Sequence, residues 1–396
     1  MKYETKINVS HPILIILYIV IMSPISGACL DIYVPSLPAI QTYFGVDKSL
    51  VQLTVSLFLL GYAGFQVPFG ALSDRYGRRK LLLFGTLLFC VSSYLATMAH
   101  NIYVLLFIRF LEGIAVASCN GVLRAVVPDV FVGVSYKKVI VLMSSAFALG
   151  PIISPFIGGY LQHYFGWHAP FYFLSAYGAI LFSMTLFILP ETHLKPTVLK
   201  TKIILSQIKS ALTHKLFLGG ILIGGLAYSF VVVYNVMAPF IVQDTLGKTA
   251  VYYGYIALIL GVGQFMGNIT NRFLIHYSAK LKIKVAAIIS AILALITIVL
   301  ATVIRVNIVA LVIPTFFIFV CSGIMIPNAM QKTLGLFPEF AGVSNSLFGS
   351  ILFGITAIIA MIASLFHAHT LLPIALLYSA IAVVILLIYT IFYAKR

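Results

Sequence analysis

Long apolar runs alternate with short polar breaks along the whole 396-residue chain. The runs recur at about 20 residues, the length an α-helix needs to cross a hydrocarbon layer of ~30 Å. The pattern predicts twelve such helices, over 12–35, 50–72, 81–100, 102–125, 138–162, 168–190, 215–241, 251–273, 284–304, 307–330, 341–365 and 370–393. The longest polar stretch, Glu191 to Lys215, falls between the sixth and seventh. It is basic, contains Pro196, and turns amphipathic around Ile203 to Leu212, as expected of a segment lying along a membrane surface near anionic headgroups. It divides the chain into an N-terminal six-helix bundle (1–190), a cytoplasmic linker (191–214) and a C-terminal six-helix bundle (215–396).

Composition strengthens this picture. Hydrophobic residues make up 62% of the chain and charged residues 9%, with a mean hydropathy of +1.11. A soluble domain has no means of hiding that much apolar surface, so the expected fold class is an all-α polytopic membrane protein. The net charge of +16 follows the membrane pattern rather than that of a nucleic-acid surface. With the N-terminus inside, 21 of the 25 Lys and Arg residues fall in cytoplasmic segments, three fall outside, and Arg109 lies within a helix. That bias predicts both termini cytoplasmic. The first apolar run, from Pro12 to about Leu30, is too long for a cleavable signal core.

Candidate chemistry is sparse. Cys29, Cys90, Cys119 and Cys321 lie in apolar segments without CxxC spacing and read as small buried hydrophobes. His100, His163, His168, His367 and His369 map to the outer side, with Trp167 beside His168, and read as interfacial residues rather than a metal site. The chain has no phosphate-cradling G-x-x-x-x-G-K-S/T and no HExxH. No enzyme activity, cofactor, metal or nucleic-acid partner is therefore expected. Membrane lipids are the expected surroundings of such a chain.

Of nine acidic residues, the predicted spans leave Asp31 and Glu112 well inside the membrane. A carboxylate there costs a few kcal/mol, about 2.5–3.5 on insertion scales, so it must face a polar cavity, pair with a cation, or take up a proton. Asp31 sits in Leu30-Asp-Ile-Tyr-Val-Pro-Ser-Leu-Pro38, where Pro35 and Pro38 remove backbone donors and are expected to bend the helix. Arg109, about 12 Å below the outer end of the fourth helix by helical rise, needs a partner at that depth. Asp31 is the expected partner, either in a proton-coupling arrangement or as a purely architectural ion pair. Glu112 shares a helix face with Arg109 and reads equally as a second proton site, a second anchor for cations, or a neutralising neighbour. Tyr33, Asn120, Tyr234, Asn235 and Gln264 are polar or aromatic within helices and are, with Asp31, the candidate substrate contacts; each reads also as an interhelical hydrogen bond.

Two further patterns stand out. Gly70-Ala-Leu-Ser-Asp-Arg-Tyr-Gly-Arg-Arg-Lys80 puts five charges between two apolar runs, which requires a short loop at a water interface. Its Gly70-x-x-x-Asp74-Arg75 is echoed by Gly267-x-x-x-Asn271-Arg272 at the same place in the second half, as in transporters built from paired six-helix repeats. The fifth helix carries Gly150-Pro-Ile-Ile-Ser154-Pro155-Phe-Ile-Gly158-Gly159, a small-residue face for close helix packing.

The 70–80 segment resembles the G-x-x-x-D-R-x-G-R-R/K loop between helices 2 and 3 of the major facilitator superfamily. The Asp31 segment resembles the L-D-x-Y-x-P-x-x-P signature of its twelve-helix drug:proton antiporters, especially the Bcr/CflA-type multidrug efflux branch. Helix 5 is similar to the antiporter motif G-x-x-x-G-P-x-x-G-G, with Ser154 in place of one glycine, and Arg109-x-x-x-Gly113 follows the helix-4 pattern with Glu112 at a position more often neutral. The resemblance implies two six-helix bundles that alternate in access, in a bacterial inner membrane. It gives Asp31 proton and substrate binding and links Arg109 to proton coupling. It gives Gly70, Asp74, Arg75, Gly77, Arg78 and Arg79 a gating role at the cytoplasmic end, and sets Gly150, Ser154, Pro155, Gly158 and Gly159 at the seam between halves. The implied function is proton-coupled export of drug-like or amphipathic compounds, an antibiotic-resistance activity, by a monomer whose partners are a small-molecule substrate, protons and membrane lipids. A dedicated transporter for one metabolite or siderophore, in either direction, and a receptor or scaffold without flux remain the alternatives.

Overall fold

The computed structural model describes residues 4–6, 11–193, 201–303, 306–366 and 370–393. His367 and His369, Arg305, the terminal residues Lys2, Lys395 and Arg396, and the linker stretch with Lys195, Pro196 and Lys200 lie outside them.

Twelve helices long and apolar enough to cross a membrane follow in order: α1 (Pro12–Phe44), α2 (Lys48–Tyr76), α3 (Arg78–Thr97), α4 (Ile102–Val130), α5 (Gly133–Phe165), α6 (Ala169–Phe187), α7 (Lys215–Thr245), α8 (Ala250–Phe273), α9 (Ala279–Val303), α10 (Ile308–Thr333), α11 (Gly342–Ser364) and α12 (Leu372–Phe392). They form two bundles of six, joined through a surface helix at Thr201–Thr213. That helix packs Ala211 and Ile208 on the second bundle and leaves Lys202, Ser206, Lys209 and Ser210 exposed, together with Ile203, Leu205 and Leu212.

Local signals set several ends. Asn101 and Asn307 each accept a hydrogen bond from the backbone three residues on (2.9 and 2.8 Å), so α4 and α10, the fourth helix of each half, start on the same cap. The charged 70–80 segment is a joint rather than the loop its composition suggests. α2 continues to Tyr76 and α3 begins at Arg78, leaving Gly77 alone between them with φ +94°. That conformation favours glycine, and a Cβ there would also strike the Glu191 carboxylate.

α1 departs most from a straight rod. It runs nine residues past its expected end, and in pieces: Pro12–Met22, Ile25–Asp31, a 3₁₀ turn at Val34–Ser36, and Leu37–Phe44. Pro24, Pro35 and Pro38 sit at or beside the breaks, where each removes a donor from the helical ladder.

The bundles meet along two seams. α5 lies against α8, where a Cβ on Gly159 would overlap the Ala250 carbonyl and one on Gly254 would crowd Pro155 and Phe156. α2 lies against α11, where the Ser350 hydroxyl donates to the Ala63 carbonyl and the rings of Tyr62 and Phe353 sit 4.5 Å apart. Small residues at these contacts let backbones approach, which supplies the packing energy that apolar burial cannot supply in lipid.

Candidate functional site: a carboxylate at the seam

Asp31 closes the second piece of α1 and is 1% exposed. Its Oδ1 accepts a hydrogen bond of 2.7 Å from Nδ2 of Asn235, on α7 of the other bundle. Its Oδ2 is buried and has no hydrogen-bond partner among the described residues. A cavity of about 20 Å³ opens beside it, walled by Pro151 and Pro155 of α5, Val231 and Tyr234 of α7, Gln264 of α8 and Phe319 of α10. That is room for about one water molecule.

The expected Asp31–Arg109 pair is not what the fold makes. Arg109 forms its ion pair with Glu112, one helical turn along α4, through Nη1. Its Nη2 donates to the Cys29 carbonyl at 3.1 Å, and the guanidinium lies over the rings of Tyr33 (4.1 Å to the centroid) and Phe58 (4.7 Å). The other Glu112 oxygen accepts from the Ser93 hydroxyl at 2.7 Å. Arg109, Glu112 and Tyr33 are all fully buried. Residues three apart on one helix lie on the same face within reach of each other, so proximity along α4 favours this partner. Asp31 is left with an amide in place of a cation.

The expected substrate contacts fall in three places. Tyr234 and Gln264 share the Asp31 cavity, and Tyr234 stacks on Tyr253 with ring planes 13° apart. The hydroxyls of Tyr234 and Tyr253 are buried without a hydrogen bond in the described structure. Tyr33 is turned away, under the Arg109 guanidinium, with its hydroxyl on Thr54 at 3.0 Å. Asn120 donates to the Tyr62 hydroxyl at 2.8 Å and lines a separate, larger cavity of about 820 Å³. That cavity opens between the bundles at the end bearing the Gly77 joint, with Gln66, Gly70, Arg124, Asn345 and Ser346 in its wall and Gln207 of the surface helix at its mouth. Tyr62 packs on Phe353, and Phe353 on Tyr228 (5.6 Å), an aromatic series that leads from this cavity toward Asp31.

The charged cluster is bonded inside the first bundle. Arg78 bridges Asp74 (2.5 Å) and Asp129 at the end of α4 (3.1 Å). Glu191 receives the backbone N–H groups of Arg78 (2.9 Å) and Arg79 (3.2 Å), which are the open donors at the start of α3. Arg79 also donates to the Leu186 carbonyl at 2.6 Å. Gly70 faces Ser346 of α11 across the seam. Arg75 is exposed, beside Tyr76. Sequence reading gave Glu191 and Asp129 no role. The signal for Glu191 was its place just after the sixth span, level with the second-to-third joint. In the second half the counterpart of Asp74 is neutral: Asn271 accepts a hydrogen bond of 2.6 Å from Asn328 of α10.

On α5, Gly150 abuts Pro24 and Gly158 abuts Ile32, so the small-residue face carries broken α1, while Gly159 meets α8. Ser154 bonds its own helix at the Gly150 carbonyl (2.6 Å). His168 stacks on Trp167 at 3.8 Å, where partial burial pushes its imidazole below the ordinary range. The cysteines are free.

Known proteins agree with this architecture. The chain is 28% identical over 392 residues to an uncharacterized transporter of Rickettsia bellii, covering 96% of this chain and 95% of that one. It is 26% identical to a bicyclomycin resistance protein homolog of Haemophilus influenzae (94% of each chain). It is 29% identical to the chloramphenicol resistance protein CraA of Acinetobacter baumannii over 60% of this chain and 58% of that one. Among solved structures, the D-xylose-proton symporter superposes with a TM-score of 0.72 at 16% identity, over 97% of this chain and 98% of the other. The family model for the Major Facilitator Superfamily matches residues 19–361, and the chain belongs to that family.

Proposed function

We propose that this member of the Major Facilitator Superfamily exports drug-like or amphipathic compounds in exchange for protons, with Asp31 carrying the proton. The observation that carries the reading is the state of Asp31: buried at the seam, bonded across to Asn235 through one oxygen, with the other oxygen facing a water-sized cavity. Arg109 is committed to Glu112, so Asp31 is the intramembrane carboxyl free to exchange partners. A proton, or a donor group of a substrate, is suited to the unpartnered oxygen. The resistance names of relatives support the choice of cargo class.

The large cavity opens at the end that carries Arg75, Arg78, Arg79 and Lys80, and by the charge bias this end faces the cytoplasm. Compounds enter there, and the aromatic series Tyr62, Phe353 and Tyr228 lies between that vestibule and Asp31. The Arg109–Glu112 pair holds the fold behind Tyr33, and the charged joint ties the ends of α2, α3 and α4 together, so that the first bundle moves as one body.

The test is proton movement in proteoliposomes challenged with a panel of lipophilic cations and neutral amphiphiles. Wild-type vesicles are expected to couple at least one compound to proton flux. Asp31→Asn is expected to lose gradient-driven transport by about two orders of magnitude or more while reaching the membrane folded. Undiminished coupling in that variant would remove Asp31 from the mechanism.

A further inference from the structure

We propose that Asn235 reads the charge on Asp31, and that the half of α7 beyond it is the latch this reading releases. The inference rests on the proton-carrying role of Asp31 proposed above. Four polar bonds tie this half of α7 to the first bundle, at the end of the molecule opposite the large cavity. Asn235 donates to Asp31 (2.7 Å), the Val236 carbonyl accepts from Gln52 (2.9 Å), Gln243 donates to the Pro35 carbonyl (2.9 Å), and Asp244 pairs with Lys48 (2.8 Å). Together they shut the far end while the cavity end stands open. Asp244 is a third exposed, so its pair is screened and weak. The Gln52 and Gln243 bonds are neutral. Only the Asn235 bond is both buried and dependent on an ionisable acceptor.

The helix is built to move from that point. Pro239 lacks the N–H that would bond the Asn235 carbonyl, and a π-turn follows at Ile241–Thr245. α7 is therefore weakest in its own ladder just beyond the residue that grips Asp31. An amide-to-carboxylate bond is roughly twice as strong as an amide-to-acid bond. Ionised Asp31 thus holds the far end closed. A proton or a substrate donor on the free oxygen draws charge from the carboxylate, weakens the Asn235 bond and loosens the latch at its innermost tooth.

The other ionisable groups near Asp31 leave this assignment intact. Arg109 of α4 is bound to Glu112, Cys29 lies on α1 itself, and Tyr228 of α7 and Tyr253 of α8 are phenols. α5 presents only Pro151 and Pro155 to the cavity.

Hydrogen exchange by mass spectrometry on the full chain in nanodiscs, from pH 5.5 to 8.5 and corrected for intrinsic rates, tests the latch at segments 32–44 and 236–249. Wild-type opening is expected to rise roughly tenfold as Asp31 takes up its proton. Asn235→Ala should be open at every pH, with less than twofold dependence. Asn235→Asp should invert the slope, because two ionised carboxylates repel at high pH and share a proton at low pH. Lys48→Gln should raise opening uniformly and keep the slope. A tenfold slope surviving in Asn235→Ala, or the wild-type sign in Asn235→Asp, overturns the proposal. If Asp31→Asn loses coupling while Asn235→Ala keeps its slope, only this inference fails; if Asp31→Asn transports normally, the proton-site reading fails with it.

Discussion

Arg109 and Glu112 are a fully buried ion pair with every neighbour supplied by the first bundle. Removing one partner leaves an uncompensated charge in a dry site, at a cost of about 3–5 kcal/mol. Glu112→Gln is therefore expected to lower the yield and melting temperature of folded protein markedly. Replacing both residues together with Arg109→Met and Glu112→Leu is expected to recover most of that loss, because no orphan charge remains. Size-exclusion profiles and thermal melts of the three proteins in detergent check this. A double variant as unstable as the single one would mean that the Arg109 contacts with Cys29, Tyr33 and Phe58 matter more than the charge. Residue identity thus made the pair legible as chemistry. The choice of partner came from the i,i+3 spacing that the sequence also contains, weighed against an Asp31 whose direction it does not reveal.

At the level of elements, α5 is shaped by what it must touch. A side chain at Gly158 would overlap the Ile32 carbonyl just where α1 breaks beside Asp31. Gly158→Val is expected to push α1 aside, cutting transport at least about tenfold in vesicles with matched protein content. Ser154 bonds back to its own helix and asks nothing of a neighbour. Ser154→Gly is accordingly expected to change transport by less than about twofold. Equal damage from both variants would show that the stripe tolerates no change at all. Most spans were legible because each is a continuous apolar run of membrane length. α1 was less so: its breaks at Ser23–Pro24 and Ile32–Tyr33 depend on α5 packing beside it, and prolines alone allow several ways to bend.

For the whole molecule, two bundles touching along α2–α11 and α5–α8 leave the large cavity open at one end and α7 bonded across the other. Gly70 and Ser346 face each other over the α2–α11 seam, and a Cβ at Gly70 would stand 3.3 Å from the Ser346 hydroxyl oxygen. The two positions are near enough to probe this seam with a cysteine pair. Gly70→Cys with Ser346→Cys is expected to crosslink on oxidation and to lose transport at least about tenfold, with recovery under reducing agent. Transport that continues while the crosslink is intact would show that this seam does not move. Twelve helices, two bundles and the place of the charges between the second and third helices could be read from the chain, because lipid demands a long apolar run for each crossing and the charges collect where the runs end.

The sequence alone determined how many times the chain crosses, where its charges collect, and which few residues are too polar for their depth. Those properties are sums over neighbours in the chain. The bond between Asp31 and Asn235 joins residues 204 positions apart, and the single-residue joint at Gly77 is closed by Glu191, more than a hundred residues away. Which oxygen meets which donor depends on how each helix is rotated and how closely two backbones approach, and packing between distant segments decides both.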